Sequence, residues 1–258
     1  MSSNLLKATK AEIEWLDSLN DSELEALLAT VDPLKLPTLL GQLEEYQRDK
    51  EILKNLMKWC PQKPHPKQMS FLRLNCLEAL FGGAAGPGKS SALLMAALQY
   101  VHVPGYSALI LRTDLQRLQL AGGLIPRSHE WLYGKGGATW NGNRYQWTFP
   151  TGDGLRPATL QFGYLSNAQD KYRYGSSEYQ FIAFDELTEF PEEDYLFMFS
   201  RLRMTEDIAA QGPLYRIRSA SNPGGKGHQW VQNRFITLEA ETDLKNDMLK
   251  DVYWKLRL

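Results

Sequence analysis

Two short runs of residues carry the chemistry of this chain. Gly83-Ala84-Ala85-Gly86-Pro87-Gly88-Lys89-Ser90 fits G-x-x-x-x-G-K-[ST] in full. Such a loop encircles phosphate oxygens with backbone N–H groups, and the helix after it adds the partial positive charge of its N-terminus. Lys89 is expected to reach the β- and γ-phosphates, Ser90 to ligate Mg²⁺ through its hydroxyl, and Ser91 to complete the loop's exit. Pro87 has no N–H, so one phosphate donor is missing, but the flanking amides remain. In the second run, Phe181-Ile182-Ala183-Phe184 leads into Asp185-Glu186. In parallel sheets ligands bind at the carboxyl ends of strands. Asp185 is thereby placed to hold Mg²⁺ and Glu186 to polarise a water for attack on the γ-phosphate. Together the two runs specify binding and hydrolysis of Mg-ATP.

Further residues belong to the same neighbourhood on weaker signals. Gln68, in PHPKQ, has an amide able to donate to and accept from an adenine edge; a solvated glutamine in a turn is the alternative. Asn222, in SASNPGG, follows the last strand, where it either senses the γ-phosphate or forms an ordinary turn. Arg112, Arg173, Arg201 and Arg203 are candidates for stabilising transition-state charge or for plain ion pairs. Lys171, Arg173, Arg216, Arg218, Lys226, His228 and Arg234, with Tyr172, Tyr174 and Trp230 among them, are the candidate DNA contacts.

These residues need a scaffold. Strands are expected at residues 77–81, 107–111, 181–184 and 215–220, with helices at 88–100, 192–203 and, mostly, 115–133. Residues 140–147 and 159–164 read as antiparallel strands around an Asn141-Gly142 turn. Strands alternating with helices argue for a mainly parallel sheet covered on both faces. Residues 8–58 read as a helical appendage, with Ser22 and Glu25 fitting a capping box, and the prolines of CPQKPHPKQ mark its boundary.

Bulk composition sets limits. With 29 basic and 30 acidic residues, the net charge of −1 exerts no global pull on nucleic acid. Cys60 and Cys76 have no zinc-like spacing and read as free thiols. No leader is recognisable, and no apolar run approaches the roughly 20 residues needed to cross a bilayer. The expectation is a soluble, intracellular protein without a membrane partner.

The segments GGAAGPGKS, FIAFDE and SNPGGKGHQWVQNRF, in this order and spacing, resemble the ATPase domain of tailed-phage large terminase subunits. PHPKQ resembles that family's adenine-binding glutamine motif, and YRYGSSEYQFIAFDELTEF and FSRLR are similar to it too, so the likeness runs from about residue 60 to 236. The resemblance implies an α/β P-loop NTPase of the additional-strand, catalytic-glutamate type, with ATP and Mg²⁺ as cofactors. It implies a homo-oligomeric ring, usually a pentamer, that docks on the portal protein of a procapsid in the host cytoplasm. There it works with a small terminase subunit and drives double-stranded DNA inside. Members carry a C-terminal nuclease domain; the chain is read as the motor domain alone, residues 60–258, behind a helical appendage at 1–59. Some members have an arginine inside the loop. Here Ala84, Ala85, Gly86 and Pro87 fill those positions, so the second cation is expected from elsewhere, Arg173 of a neighbouring subunit first and Arg112 second. Two other readings compete. A helicase-like translocase would need a second RecA-like domain or further helicase motifs, and a non-hydrolysing scaffold is opposed by Glu186.

From the near-zero net charge, DNA binding is expected to be weak and steeply salt-dependent, because a few local residues must supply all the phosphate contacts. Fluorescence anisotropy on a DNA duplex between 50 and 200 mM salt checks this; tight binding indifferent to salt would contradict it.

Overall fold

The computed structural model describes residues 8–83, 86, 88–212, 215–237 and the backbone of 253–256. The chain divides into two compact units, residues 1–54 and 55–258. The first contains α1 (Lys10–Leu16), α2 (Asp21–Leu28) and most of α3 (Leu36–Leu56). Its core is Ile13, Leu16 and Leu43, backed by Leu19, Leu24, Leu27, Leu39 and Tyr46. The capping box expected at Ser22 and Glu25 lies elsewhere. Asn20 pairs reciprocally with Glu23, and Thr9 with Glu12, which puts Ser22 inside α2. The acceptor must sit one residue before the first helical turn, and the chain breaks between α1 and α2 to allow that.

The second unit is built on one eight-stranded sheet. In chain order its elements are α4 (Pro66–Leu72), β1 (Glu78–Phe81), α5 (Lys89–Leu98), β2 (Ser107–Arg112), α6 (Leu115–Gln119), α7 (Leu124–Leu132), β3 (Thr139–Asn141), β4 (Gln146–Phe149) and β5 (Ala158–Tyr164). A 3₁₀ turn (Asp170–Tyr174) follows, then β6 (Phe181–Asp185), a second 3₁₀ turn (Leu187–Glu189), α8 (Glu192–Phe199), α9 (Glu206–Ala209), β7 (Arg216–Ala220), α10 (His228–Phe235) and β8 (Tyr253–Leu256). The strand order is β3-β4-β5-β2-β6-β7-β1-β8. Only the β3–β4 and β4–β5 pairs are antiparallel; the pairs along β5-β2-β6-β7-β1-β8 are parallel. The structure is thus the expected α/β arrangement with a mainly parallel sheet. Pro66 occupies the first turn of α4, where its missing N–H has no helical partner to lose, so the boundary segment ends by starting a helix. Residues 140–147 form a hairpin with a longer connection than Asn-Gly alone. Asn141 Oδ1 accepts the N–H groups of Asn143 and Arg144, and β4 begins only at Gln146.

Every residue of β6 is buried, as is all of α5 except Ser90, because the sheet is covered on both faces. Leu109, Ile182, Phe184 and Ile217 meet Phe190, Tyr195, Val231 and Phe235 in one core. The register aligns the carboxyl ends of the central strands: Phe81 lies opposite Ala220, Ala220 opposite Asp185, and Leu111 opposite Phe184.

The other end of the sheet is tied by buried polar groups. Glu78, 1% exposed, accepts two hydrogen bonds at 2.9 Å from Arg234 and one at 2.5 Å from the Tyr195 hydroxyl. This joins β1, α8 and α10, whose neighbouring loops all run to the carboxyl edge. Burial and the Glu78 carboxylate push the Tyr195 phenol well above its ordinary value, so it stays a donor. Removing one partner leaves uncompensated buried charge. Glu78→Ala is therefore expected to lower unfolding free energy by about 3–5 kcal/mol in urea titration, whereas an exposed pair would cost under about 1.

Candidate phosphate-binding site

The loop from β1 to α5 has Gly83 at φ +123°, Gly86 at +107° and Gly88 at +73°, a region closed to most side chains. Ala84, Ala85 and Pro87 lie outside the described residues. Lys89 and Ser90 open α5, with Ser91 buried behind them. Lys89 Nζ donates to the Gly83 carbonyl at 3.0 Å and to Asn222 Oδ1 at 2.8 Å. Enclosure pulls this ammonium below its ordinary value, opposed by the carboxylates of Glu186 and Asp185. Ser90 Oγ donates to Asp185 Oδ1 at 2.9 Å, and Arg112 Nη1 donates to Asp185 Oδ2 at 2.9 Å. Asp185 is 1% exposed, and burial raises its carboxyl above the ordinary value, with Arg112 and Ser90 opposing.

Glu186 departs from strand geometry. It sits at φ 60°, ψ 57°, the left-handed region, where a residue with a Cβ carries strain on the order of 1–2 kcal/mol. The turn lifts its carboxylate off the sheet towards Asn222, whose backbone N–H and Nδ2 donate to it at 3.3 and 3.2 Å. Asn222 is thus a bridge, its carbonyl facing the ammonium of Lys89 and its amino group facing the carboxylate of Glu186. The reverse orientation would set donor against donor at Lys89 and acceptor against acceptor at Glu186.

A cleft of about 280 Å³ opens beside this bridge, lined by Arg112, Glu186, Thr188, Glu189, Asn222, Pro223, Gly224 and Gly225. Thr188 and Ser221 share a hydrogen bond at 2.8 Å, and Thr188 Oγ1 donates to the Asn222 carbonyl at 3.2 Å. Glu189 takes hydrogen bonds from Thr113 at 3.0 Å and Arg117 at 2.6 Å. The sequence offered no signal for Thr188 or Glu189; only the turn after β6 brings them to the cleft. At Gly225 a Cβ would meet the Thr188 carbonyl at 2.7 Å, so that glycine permits the close approach.

The structure places the remaining sequence candidates as follows. Gln68 is in α4, 1% exposed, with both ends of its amide on backbone: His65 N–H donates to Oε1, and Nε2 donates to Gly88, each at 2.9 Å. The position of the Arg173 segment just before β6 in the sequence predicts that it lies at that strand's amino end, opposite Asp185. It lies instead beside the carboxyl end of β5, because Arg173 stacks on Tyr164 at 4.5 Å and pairs with Asp170, which in turn accepts the N–H groups of Ser166 and Asn167. Tyr164 is in register with Arg112.

The expected basic patch largely disappears. Arg216 and Arg218 are 2% and 0% exposed. Arg216 stacks on Tyr100 and donates to Gln99; Arg218 donates to the carbonyls of Leu74, Cys76 and Ile217. Burial, then the neighbouring Arg216, pulls the Arg218 guanidinium below its ordinary value. Lys171 is buried against Glu193 and Asp194, and Arg234 is held by Glu78. Lys226 stays exposed, and His228 Nδ1 accepts the Gly224 N–H. Alternating residues in a buried strand cannot reach DNA, whatever their charge.

No known protein family and no curated protein matches the chain by sequence. Among solved structures it is similar to the large terminase ATPase domain of Thermus phage P74-26, in an arginine-to-alanine mutant, at 12% identity and TM-score 0.49 over 73% of this chain and 77% of that one. It is also similar to the large terminase of a thermophilic bacteriophage, at 14% identity and TM-score 0.47 over 80% of this chain and 44% of that one. The same terminase in complex with ADP gives 14% identity and TM-score 0.45. This chain thus spans under half of the second protein.

Proposed function

We propose that the chain is an ATP-hydrolysing motor domain of the DNA-packaging kind. The observation that carries the hydrolytic part is the convergence of Lys89, Ser90, Asp185, Glu186 and Asn222 on one aligned row of strand ends. Lys89 compensates phosphate charge, and Asn222 holds Glu186 at the edge of the cleft, where a water can be polarised for attack. Ser90 and Asp185, in contact through hard oxygens, suit Mg²⁺, which takes one or two protein oxygens and completes its shell with phosphate and water. Among the described residues there is no cluster of three or more His, Cys, Asp or Glu that would form a separate metal cage. When bound, Mg²⁺ neutralises charge developing on the phosphoryl oxygens.

The packaging role rests on the resemblance of GGAAGPGKS, FIAFDE and SNPGGKGHQWVQNRF to large terminase subunits. On that reading the domain works in a ring on a portal, with a small terminase subunit, on double-stranded DNA in the host cytoplasm. Arg112 acts on its own subunit's site, where it faces Asp185 and the cleft. Arg173, half-exposed and braced by Tyr164 and Asp170, is the residue offered to a neighbour.

A phosphate-release assay tests the hydrolytic reading directly. Wild-type chain is expected to release phosphate from ATP only with Mg²⁺. Lys89→Ala should lose nucleotide binding, and Glu186→Gln should keep binding while turnover falls about 10²–10⁴-fold. Near wild-type turnover in Glu186→Gln would give the water-activating role to another residue. For the ring, Arg173→Ala subunits mixed with Glu186→Ala subunits should recover part of the ATPase activity, because some interfaces then pair an intact Arg173 with an intact Glu186. Absence of recovery in rings shown to be mixed would rule Arg173 out as a trans-acting group.

A further inference from the structure

The geometry points to Gln68 as a positioning residue for the phosphate loop, acting through the carbonyl of Gly88 and not through the nucleotide base. This rests on the reading of residues 83–90 as a phosphate loop. Gln68 lies on α4, outside the loop, and its side-chain amide is oriented at both ends. Oε1 receives the His65 N–H at 2.9 Å, which fixes the amide plane against the start of α4. Nε2 then points at Gly88 and donates to its carbonyl at 2.9 Å. That carbonyl also accepts the first helical hydrogen bond of α5, from Ala92 N–H at 3.0 Å. Gln68 therefore grips the backbone where the loop ends and Lys89 begins.

The close fit fixes the residue type on the other side. A Cβ on Gly88 would lie 2.7 Å from Gln68 Nε2, so glycine at this position serves the contact as well as the +73° dihedral. A base reader would have to present its amide to a ligand, whereas Gln68 is 1% exposed and is enclosed with Met69, Phe71 and Leu72 of the same helix. There is a physical need for such a grip. Glycine-rich backbone loses more conformational freedom on ordering than any other, and every residue of order imposed before phosphate arrives need not be imposed by the phosphate. Gln68 supplies part of that order from a rigid helix.

The experiment measures binding of three probes with Mg²⁺ at a temperature well below the melting transition: tripolyphosphate, which has no base, ATP and GTP. Two variants are used. Gln68→Met keeps the volume and removes both hydrogen bonds. Gln68→Glu keeps the acceptor for His65 but turns the donor towards Gly88 into an acceptor. Loss of one backbone grip is expected to weaken tripolyphosphate, ATP and GTP alike, by about five- to tenfold in Gln68→Met and at least as much in Gln68→Glu, with the ATP-to-GTP ratio unchanged. A loss confined to ATP would overturn the inference and make Gln68 a base reader. Unchanged affinity for all three probes in both variants would overturn it too. If wild-type chain bound neither ATP nor tripolyphosphate, the phosphate-loop reading itself would fail, an outcome separate from both of these.

Discussion

The site is organised by one buried carboxylate. Asp185, nearly without solvent contact, ends the central strand of the sheet and is flanked by the hydroxyl that opens α5 and the guanidinium that ends β2. A charge so deeply enclosed is tolerated only when it is paired and hydrogen-bonded, so the ends of β2 and β6 and the start of α5 must arrive together or not at all. A one-residue slip of β2 against β6 would turn Arg112 to the opposite face and leave Asp185 unpaired. The apolar run from Phe181 to Phe184 secures that register from below, since each of its residues is fully enclosed between the helical layers.

Charge in this molecule is distributed by depth as much as by sign. Arg216 and Arg218 point from β7 into the interior, where aromatic rings and carbonyl oxygens take the place of counter-ions. A guanidinium tolerates this better than an ammonium, being delocalised, weakly hydrated and able to stack. The balance of 29 basic and 30 acidic residues therefore overstates the positive charge open to a polyanion. If the domain engages DNA, the contacts come from exposed residues such as Lys226, or from surfaces formed in an assembly.

The parts of the site that could be read in the sequence are those in which chemistry and local geometry coincide. The glycine loop, the apolar strand ending in Asp185-Glu186, and Asn222 after the last strand each announce themselves within ten residues, because each is a strand end followed by an obligatory turn. What could not be read depends on partners far along the chain. Arg218 is buried because the carbonyls of Leu74 and Cys76 converge on it, and no local pattern distinguishes such an arginine from a solvated one. Gln68 lay within a recognisable segment, yet its orientation is set by His65 and Gly88, so motif likeness spoke for the base and geometry speaks for the loop. Arg173 was misplaced for a similar reason. The stretch after β5 turns back over Tyr164 before entering β6, and the aromatic contact that directs it is invisible in a linear count.

The left-handed backbone at Glu186 sets side-chain chemistry and backbone stability against each other at a single position. A glycine there would relieve the dihedral strain and remove no core packing, since the side chain faces the cleft, but it would take away the acceptor of the Asn222 N–H and Nδ2. The dihedral alone favours glycine or asparagine there, so the carboxylate stands at a cost in backbone strain. Relaxing the backbone at this position and keeping a carboxylate there are thus mutually exclusive.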